Sequence, residues 1–92
     1  MKIIKIGAKR CPGCPIMKPI RAEIEKEDPT LNTQFFDFDD NAKDIEKYEI
    51  DWGRLPTFIF LKDDGTELER LHGEYSKKEL LDVINKYKAM NV

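Results

Sequence analysis

Apolar positions change their spacing repeatedly along this chain, and each change marks a new element. Lys2 to Ile6 is a short β-branched run with partial alternation, bounded by Gly7, and predicts a buried first strand. From Pro12 to about Lys26, Ile16, Met17, Ile20 and Ile24 fall at helical spacing while Lys18, Arg21, Glu23 and Glu25 take other faces. This predicts the first helix, with Pro15 accommodated in its first turn, Pro19 bending its axis and Asp28-Pro29 closing it.

Thr33 to Phe38 is rich in aromatic residues and predicts a second strand ending near Asp39. Asn41 is placed to cap a short helix reaching about Glu49, with Ile45 and Tyr48 turned inward. Thr57 to Leu61, bulky at almost every position, predicts a strand buried on both faces. Asp63-Asp64-Gly65-Thr66 is a hairpin turn into a fourth strand over about Glu67 to His72. Ser76-Lys77-Lys78-Glu79 is a capping box, Tyr75 and Leu80 are spaced as its hydrophobic staple, and Leu80, Leu81, Ile84 and Tyr87 give the last helix a buried face. The order is β-α-β-α-β-β-α, an α/β fold in which three helices flank both faces of a four-stranded mixed sheet.

Composition narrows the function. Ninety-two residues, 40% of them apolar, supply one core, so positions 1–92 are expected to form a single domain. Charged residues are abundant but nearly balanced, and a net charge of −2 gives no strong field for nucleic acid or an anionic membrane. The longest apolar run, Phe58 to Leu61, is far too short to span a bilayer, and Met1 to Ile6 is too short and too interrupted for a signal peptide. The chain is therefore expected to be a cytoplasmic protein with no membrane or nucleic-acid partner.

Two cysteines separated by two residues brace little, because so short a loop holds little chain entropy to remove. Reactivity or metal binding explains such a pair better in a reducing compartment. A structural zinc site normally needs four ligands, and His72 is the sole additional soft ligand, so no metal is expected. The pair falls where the first strand meets the first helix. With Cys11 as the helix N-cap and Pro12 in the first helical position, the amides of Gly13 and Cys14 would point at the Cys11 sulfur. Those amides and the helix dipole would favour its thiolate, lowering its pKa from about 8.5 toward roughly 5 to 7. Lys9 and Arg10 add positive charge nearby, and Cys14, nearly one turn on, is placed to attack a mixed disulfide at Cys11.

Cys11-Pro12-Gly13-Cys14 followed by Pro19, then Leu55-Pro56-Thr57 opening a strand, then Asp64-Gly65 and Gly73, resembles the thioredoxin superfamily landmark by landmark over about residues 2 to 90. The chain is similar to a thioredoxin without that family's N-terminal strand and helix, as glutaredoxins are. The resemblance implies a thioredoxin-like fold and a protein-disulfide reductase working by dithiol exchange, with Cys11 attacking and Cys14 resolving. It implies that Pro56 is a cis proline facing the cysteines, and that Leu55, Pro12, Gly13 and Gly73 border a groove where substrate peptide binds as an added strand. It also implies no cofactor beyond the redox-active disulfide, disulfide-containing protein substrates, a donor of the thioredoxin-reductase type, a monomeric state, and roles in electron transport and cell redox homeostasis.

Two rival functions stay open on the residues. A glutathione-dependent glutaredoxin is favoured by Pro12, but His72-Gly73-Glu74-Tyr75 lacks the Gly-Gly and acidic signature that glutaredoxins use, and Leu55 stands where they usually have Thr or Val. A redox-sensing or peptide-binding module without turnover would use the same fold. Pro-Gly between the cysteines differs from the usual Gly-Pro of thioredoxins and leaves the potential open from about −270 to −180 mV. Arg10 stands where a tryptophan usually precedes the first cysteine; Trp52, in the loop before Leu55, either covers the cysteines in its stead or packs on the core. Lys5 stands six residues before Cys11, where thioredoxins carry a buried acid. It is expected either to pair with Asp37 on the neighbouring strand and favour a Cys14 thiolate, or simply to cover the sheet with its aliphatic stem. Asp37, Asp39 and Asp40 are read as capping and dipole residues, and His72 as an ordinary residue at a strand end.

Overall fold

A computed structural model describes residues 1–90. Strand β1 (Lys2–Gly7) leads through a tight loop to helix α1 (Cys14–Glu27), then to strand β2 (Asn32–Asp37). Helix α2 (Ala42–Ile45) runs on as a 3-10 turn (Glu46–Tyr48), and a second 3-10 turn (Trp52–Arg54) precedes strand β3 (Thr57–Leu61). Strand β4 (Glu67–His72) and helix α3 (Lys77–Ala89) complete the order expected from sequence. The sheet runs β2-β1-β3-β4, with β1 parallel to β2 and antiparallel to β3, and β3 antiparallel to β4.

Period-two alternation sorts the side chains of the central strands into two cores. Ile3, Phe58 and Phe60 face α1 and α3, where they meet Met17, Ile24, Leu80, Ile84 and Tyr87. Ile4, Ile6, Ile59 and Leu61 face the other way and pack with Ile45 of α2. Every residue of β3 is buried, as its sequence predicts for a strand covered on both faces. Gly65, at φ +92°, turns the β3–β4 hairpin, and the Ser76–Glu79 capping box is formed, with Glu79 N donating to Ser76 Oγ and Ser76 N to Glu79 Oε1, both at 3.1 Å.

Helix α1 starts later than the sequence reading places it. A helix capped by Cys11 would need the amide of residue 15 to close its first ladder bond onto the Cys11 carbonyl, and Pro15 has no N–H. The cap is therefore Gly13, the first ladder bond runs from Met17 N to Gly13 O at 3.3 Å, and Cys14 N bonds Cys11 O as a turn. Helix α2 also departs from expectation. It tightens into a 3-10 turn after Ile45, and the Asn41 side chain does not cap it; Asn41 Oδ1 instead accepts from Asp37 N at 2.9 Å. Among the described residues, no helix is long and apolar enough to cross a membrane.

Candidate active site

Cys11 and Cys14 form a disulfide with their Cα atoms 5.4 Å apart. The loop that carries them begins where β1 ends in the middle of the sheet: Ala8 is buried, and Cys11 N donates back to Ala8 O at 3.2 Å. Pro12 lies in this turn and not in the first helical position. Among the described residues, no hydrogen bond reaches either sulfur in the disulfide form. Cys11 is 3% exposed, whereas Cys14 is half-buried.

Opposite the cysteine loop stands Leu55-Pro56, joined by a cis peptide bond, as the resemblance implies. A Cβ on Gly13 would lie 3.2 Å from Pro56 Cδ and 3.2 Å from Glu74 Cγ, so the loop approaches the proline as closely as backbone allows. Gly73, at φ +95°, donates its N–H to Pro56 O at 2.8 Å, which ties the end of β4 to the same proline. Leu55 turns into the α2-side core. Pro12 and Gly13 thus stand beside Pro56, to which Leu55 is joined by the cis bond and Gly73 by a hydrogen bond.

The charged residues before Cys11 are engaged with the β2–α2 loop. Lys9 Nζ lies 3.4 Å from Asp40 Oδ2 and Arg10 Nη2 3.9 Å from Asp39 Oδ2. These acids pair with the cysteine loop instead of capping α2. Asp37 Oδ1 accepts from the amides of Asp39 and Asp40, at 2.9 and 3.0 Å. Those amide bonds, opposed by a smaller effect of burial, hold its carboxyl below the usual range. Of the two roles its sequence position left open, Trp52 takes a packing one at the surface: its ring meets Phe38 with centroids 5.6 Å apart, and the Arg10 guanidinium lies 5.5 Å above it.

Lys5 does not pair with Asp37. The β1–β2 register sets Lys5 against Phe35 and Gly7 against Asp37, two positions away. The Lys5 ammonium turns to α1, 2.5 Å from Glu25 Oε1, and the Thr33 hydroxyl donates to the same oxygen. Burial pushes the Glu25 carboxyl up, but the bonds from Lys5 and Thr33 and the charges of Lys5 and Arg21 outweigh it and leave its pKa below the ordinary value. Glu25 was not singled out from the sequence. Its spacing on the Arg21 face of α1 was the available clue.

His72 shares a hydrogen bond with Thr57, Nδ1 to Oγ1 at 3.2 Å. Burial, then the charge of Arg54, lowers its pKa. Beside Cys14 opens a cleft of about 600 Å³ that sequence reasoning missed altogether. Gly7 lies in its wall, where Cys14 and Phe35 approach the backbone so closely that a Cβ would stand 3.1 Å from Cys14 Sγ and 3.4 Å from the Phe35 ring. Among the described residues, no cluster of three or more His, Cys, Asp or Glu is placed to hold a metal.

The arrangement is a disulfide at a strand–helix junction facing a proline. A family model for thioredoxin matches residues 1–89. Thioredoxin of Chlamydia pneumoniae is 32% identical over 85 residues, covering 92% of this chain and 80% of that protein. Among solved structures, thioredoxin of Fasciola hepatica is 28% identical with a TM-score of 0.81, covering 92% of this chain and 78% of that one. Thioredoxin 1 of Thermosipho africanus, at 23% identity, shares the fold over 99% of this chain and 98% of its own, with a TM-score of 0.81. Sequence, fold and the Cys11–Cys14 disulfide agree that this chain belongs to the thioredoxin family and is a thiol–disulfide oxidoreductase.

Proposed function

We propose that the chain reduces disulfides in protein substrates, with Cys11 as the attacking thiolate and Cys14 as the resolving thiol. The observation that carries this reading is the close approach of the Cys11–Cys14 loop to Pro56, where a Cβ on Gly13 would stand 3.2 Å from the proline ring. Substrate peptide lies along Leu55, Pro56 and Gly73 as an added strand, next to Pro12 and Gly13. Cys11 Sγ attacks one substrate sulfur and the substrate disulfide breaks, its electron pair leaving on the other substrate sulfur. Cys14 then attacks Cys11 Sγ, releases the second substrate thiolate and restores the protein disulfide. No bound cofactor enters the cycle, and a thioredoxin-reductase-type donor returns two electrons to the pair. The protein acts as a monomer in the reducing cytoplasm, contributing to electron transport and cell redox homeostasis.

Turnover tests the reading. Sub-stoichiometric protein with dithiothreitol as reductant should reduce insulin repeatedly; one round of stoichiometric binding without turnover would replace the enzyme with a peptide-binding module. Equilibration of Cys11 and Cys14 against glutathione buffers of known poise then fixes the direction of flow, a potential near −270 mV marking a reductant and one near −120 mV an oxidant.

A further inference from the structure

The disulfide presents its two sulfurs to different surroundings. Cys11 is buried and takes no part in the wall of the cleft, whereas Cys14 is part of it. The cleft thus reaches the disulfide from the Cys14 side, away from the solvent-exposed Pro12. Its floor is apolar, from Gly7, Ala8, Met17, Phe35 and Phe58, with Pro56 of the peptide groove also in its wall, and its volume is that of a small-molecule site.

Its charge is one-sided in a protein of net charge −2. Lys18 and Arg21 on α1, Lys9 on the cysteine loop and Lys5 on β1 line it, against the single carboxylate of Asp37. Lys5 is neutralised by Glu25 and Lys9 lies near Asp40, which leaves Lys18 and Arg21. Neither of these two forms an ion pair within 4.0 Å among the described residues, and the Arg21 guanidinium lies over the Phe35 ring, 4.9 Å from its centroid. An apolar floor, a cationic rim and an electrophilic sulfur in one wall select a small molecule with a short apolar body, a carboxylate and a thiol.

We propose that this cleft seats an anionic low-molecular-weight thiol, which recharges the protein by attacking Cys14. The inference rests on Cys11 and Cys14 being the redox pair, and adds a second route for electrons beside the protein donor. The bound thiolate forms a bond to Cys14 Sγ, the Cys11–Cys14 bond breaks, and its electron pair leaves on Cys11 as a thiolate. A second thiolate attacks the sulfur of the bound molecule and releases Cys14 as a thiolate. Two thiols are oxidised to one disulfide while the protein disulfide gains two electrons.

Single-cysteine variants separate the two sulfurs. Cys11→Ser, whose one thiol is Cys14, and Cys14→Ser, whose one thiol is Cys11, are each reacted with the anionic 3,3′-dithiodipropionate and the neutral bis(2-hydroxyethyl) disulfide. Cys14 should react about tenfold faster with the anionic reagent, a preference that falls with added salt, and Cys11 should show none. Lys18→Gln and Arg21→Gln should each erode the Cys14 preference several-fold, while Lys62→Gln, an equal charge change on the distant hairpin, should leave it. With the wild-type disulfide, reduction by 3-mercaptopropionate should exceed that by 2-mercaptoethanol per thiolate and saturate with concentration. Equal preference at both sulfurs, or an equal loss in Lys62→Gln, overturns the proposal in favour of general electrostatic attraction. No preference at either sulfur also overturns it, and would leave the cleft to an acidic segment of a protein partner. Insulin turnover with dithiothreitol reports on the redox pair alone, so its failure is read separately.

Discussion

Lys5 of β1 and Glu25 of α1 form an ion pair across the helix–sheet interface, at 2.5 Å, with the lysine side chain 11% exposed and the glutamate 34%. The difference in exposure makes the pair asymmetric. Glu25→Ala strands a buried ammonium, whereas Lys5→Met leaves a carboxylate that water already reaches and adds an apolar chain of similar length. Urea unfolding should find Glu25→Ala less stable by about 2–3 kcal/mol and Lys5→Met by under about 1 kcal/mol. Equal losses would contradict the asymmetry.

The same pair sets an acid limb on stability. The folded pKa of Glu25 lies below its ordinary value of 4.5, so the fold favours the deprotonated form. Its contribution is complete above the unfolded pKa and is lost as pH falls through the folded one. Stability measured from pH 6 downward should decline less steeply in Glu25→Gln than in the native protein, from a lower starting value.

Cysteine roles are read by trapping. Incubated with a disulfide-containing protein substrate, Cys14→Ser should accumulate a mixed disulfide at Cys11, resistant to dilution and released by dithiothreitol, and Cys11→Ser should accumulate none. Adducts with Cys11→Ser alone, seen by non-reducing electrophoresis, would reverse the assignment.

Gly13 is the point of closest approach between the cysteine loop and Pro56. Gly13→Ala should cost about 1 kcal/mol of stability and lower insulin turnover about tenfold, because the loop must back away from the proline. Adding Glu74→Ala should not restore turnover, since the Cβ meets Pro56 Cδ at the same 3.2 Å. Rescue by the double variant would move the constraint from the proline to the glutamate.

At the other end of the chain, Ser76→Ala should destabilise by about 1 kcal/mol through loss of the bond to Glu79 N, with insulin turnover unchanged. Thermal melts compared with the exposed control Lys78→Ala measure it.

How much of this was legible in the sequence depended on whether the information was local. The bounds of β3 and β4, the hairpin at Gly65 and the cap of α3 follow from residues within a few positions of one another, and the structure has them where the sequence puts them. The start of α1 is also local but turns on one missing hydrogen: Pro15 is tolerable in a first turn, yet its absent N–H excludes Cys11 as the cap. The partner of Lys5 was not legible. Strand adjacency pointed to Asp37, while register and the inward face of α1 decided for Glu25. Gly7 reads in the sequence as the end of a strand, and only the fold brings it against Cys14, where a Cβ would stand 3.1 Å from Sγ.

The sheet order has a consequence for how the chain is made. β1 is synthesised before the other strands, yet it is a central strand whose antiparallel partner is β3: Ile4 pairs with Ile59 and Ile3 with Phe60. During synthesis β2 can flank it on one side, but the other edge stays open until residues 57–61 emerge, with Ile3, Ile4 and Ile6 uncovered meanwhile. Lys2 and Lys5, interspersed among those isoleucines, put charge on the nascent strand during that interval and so guard it against pairing with a neighbouring chain.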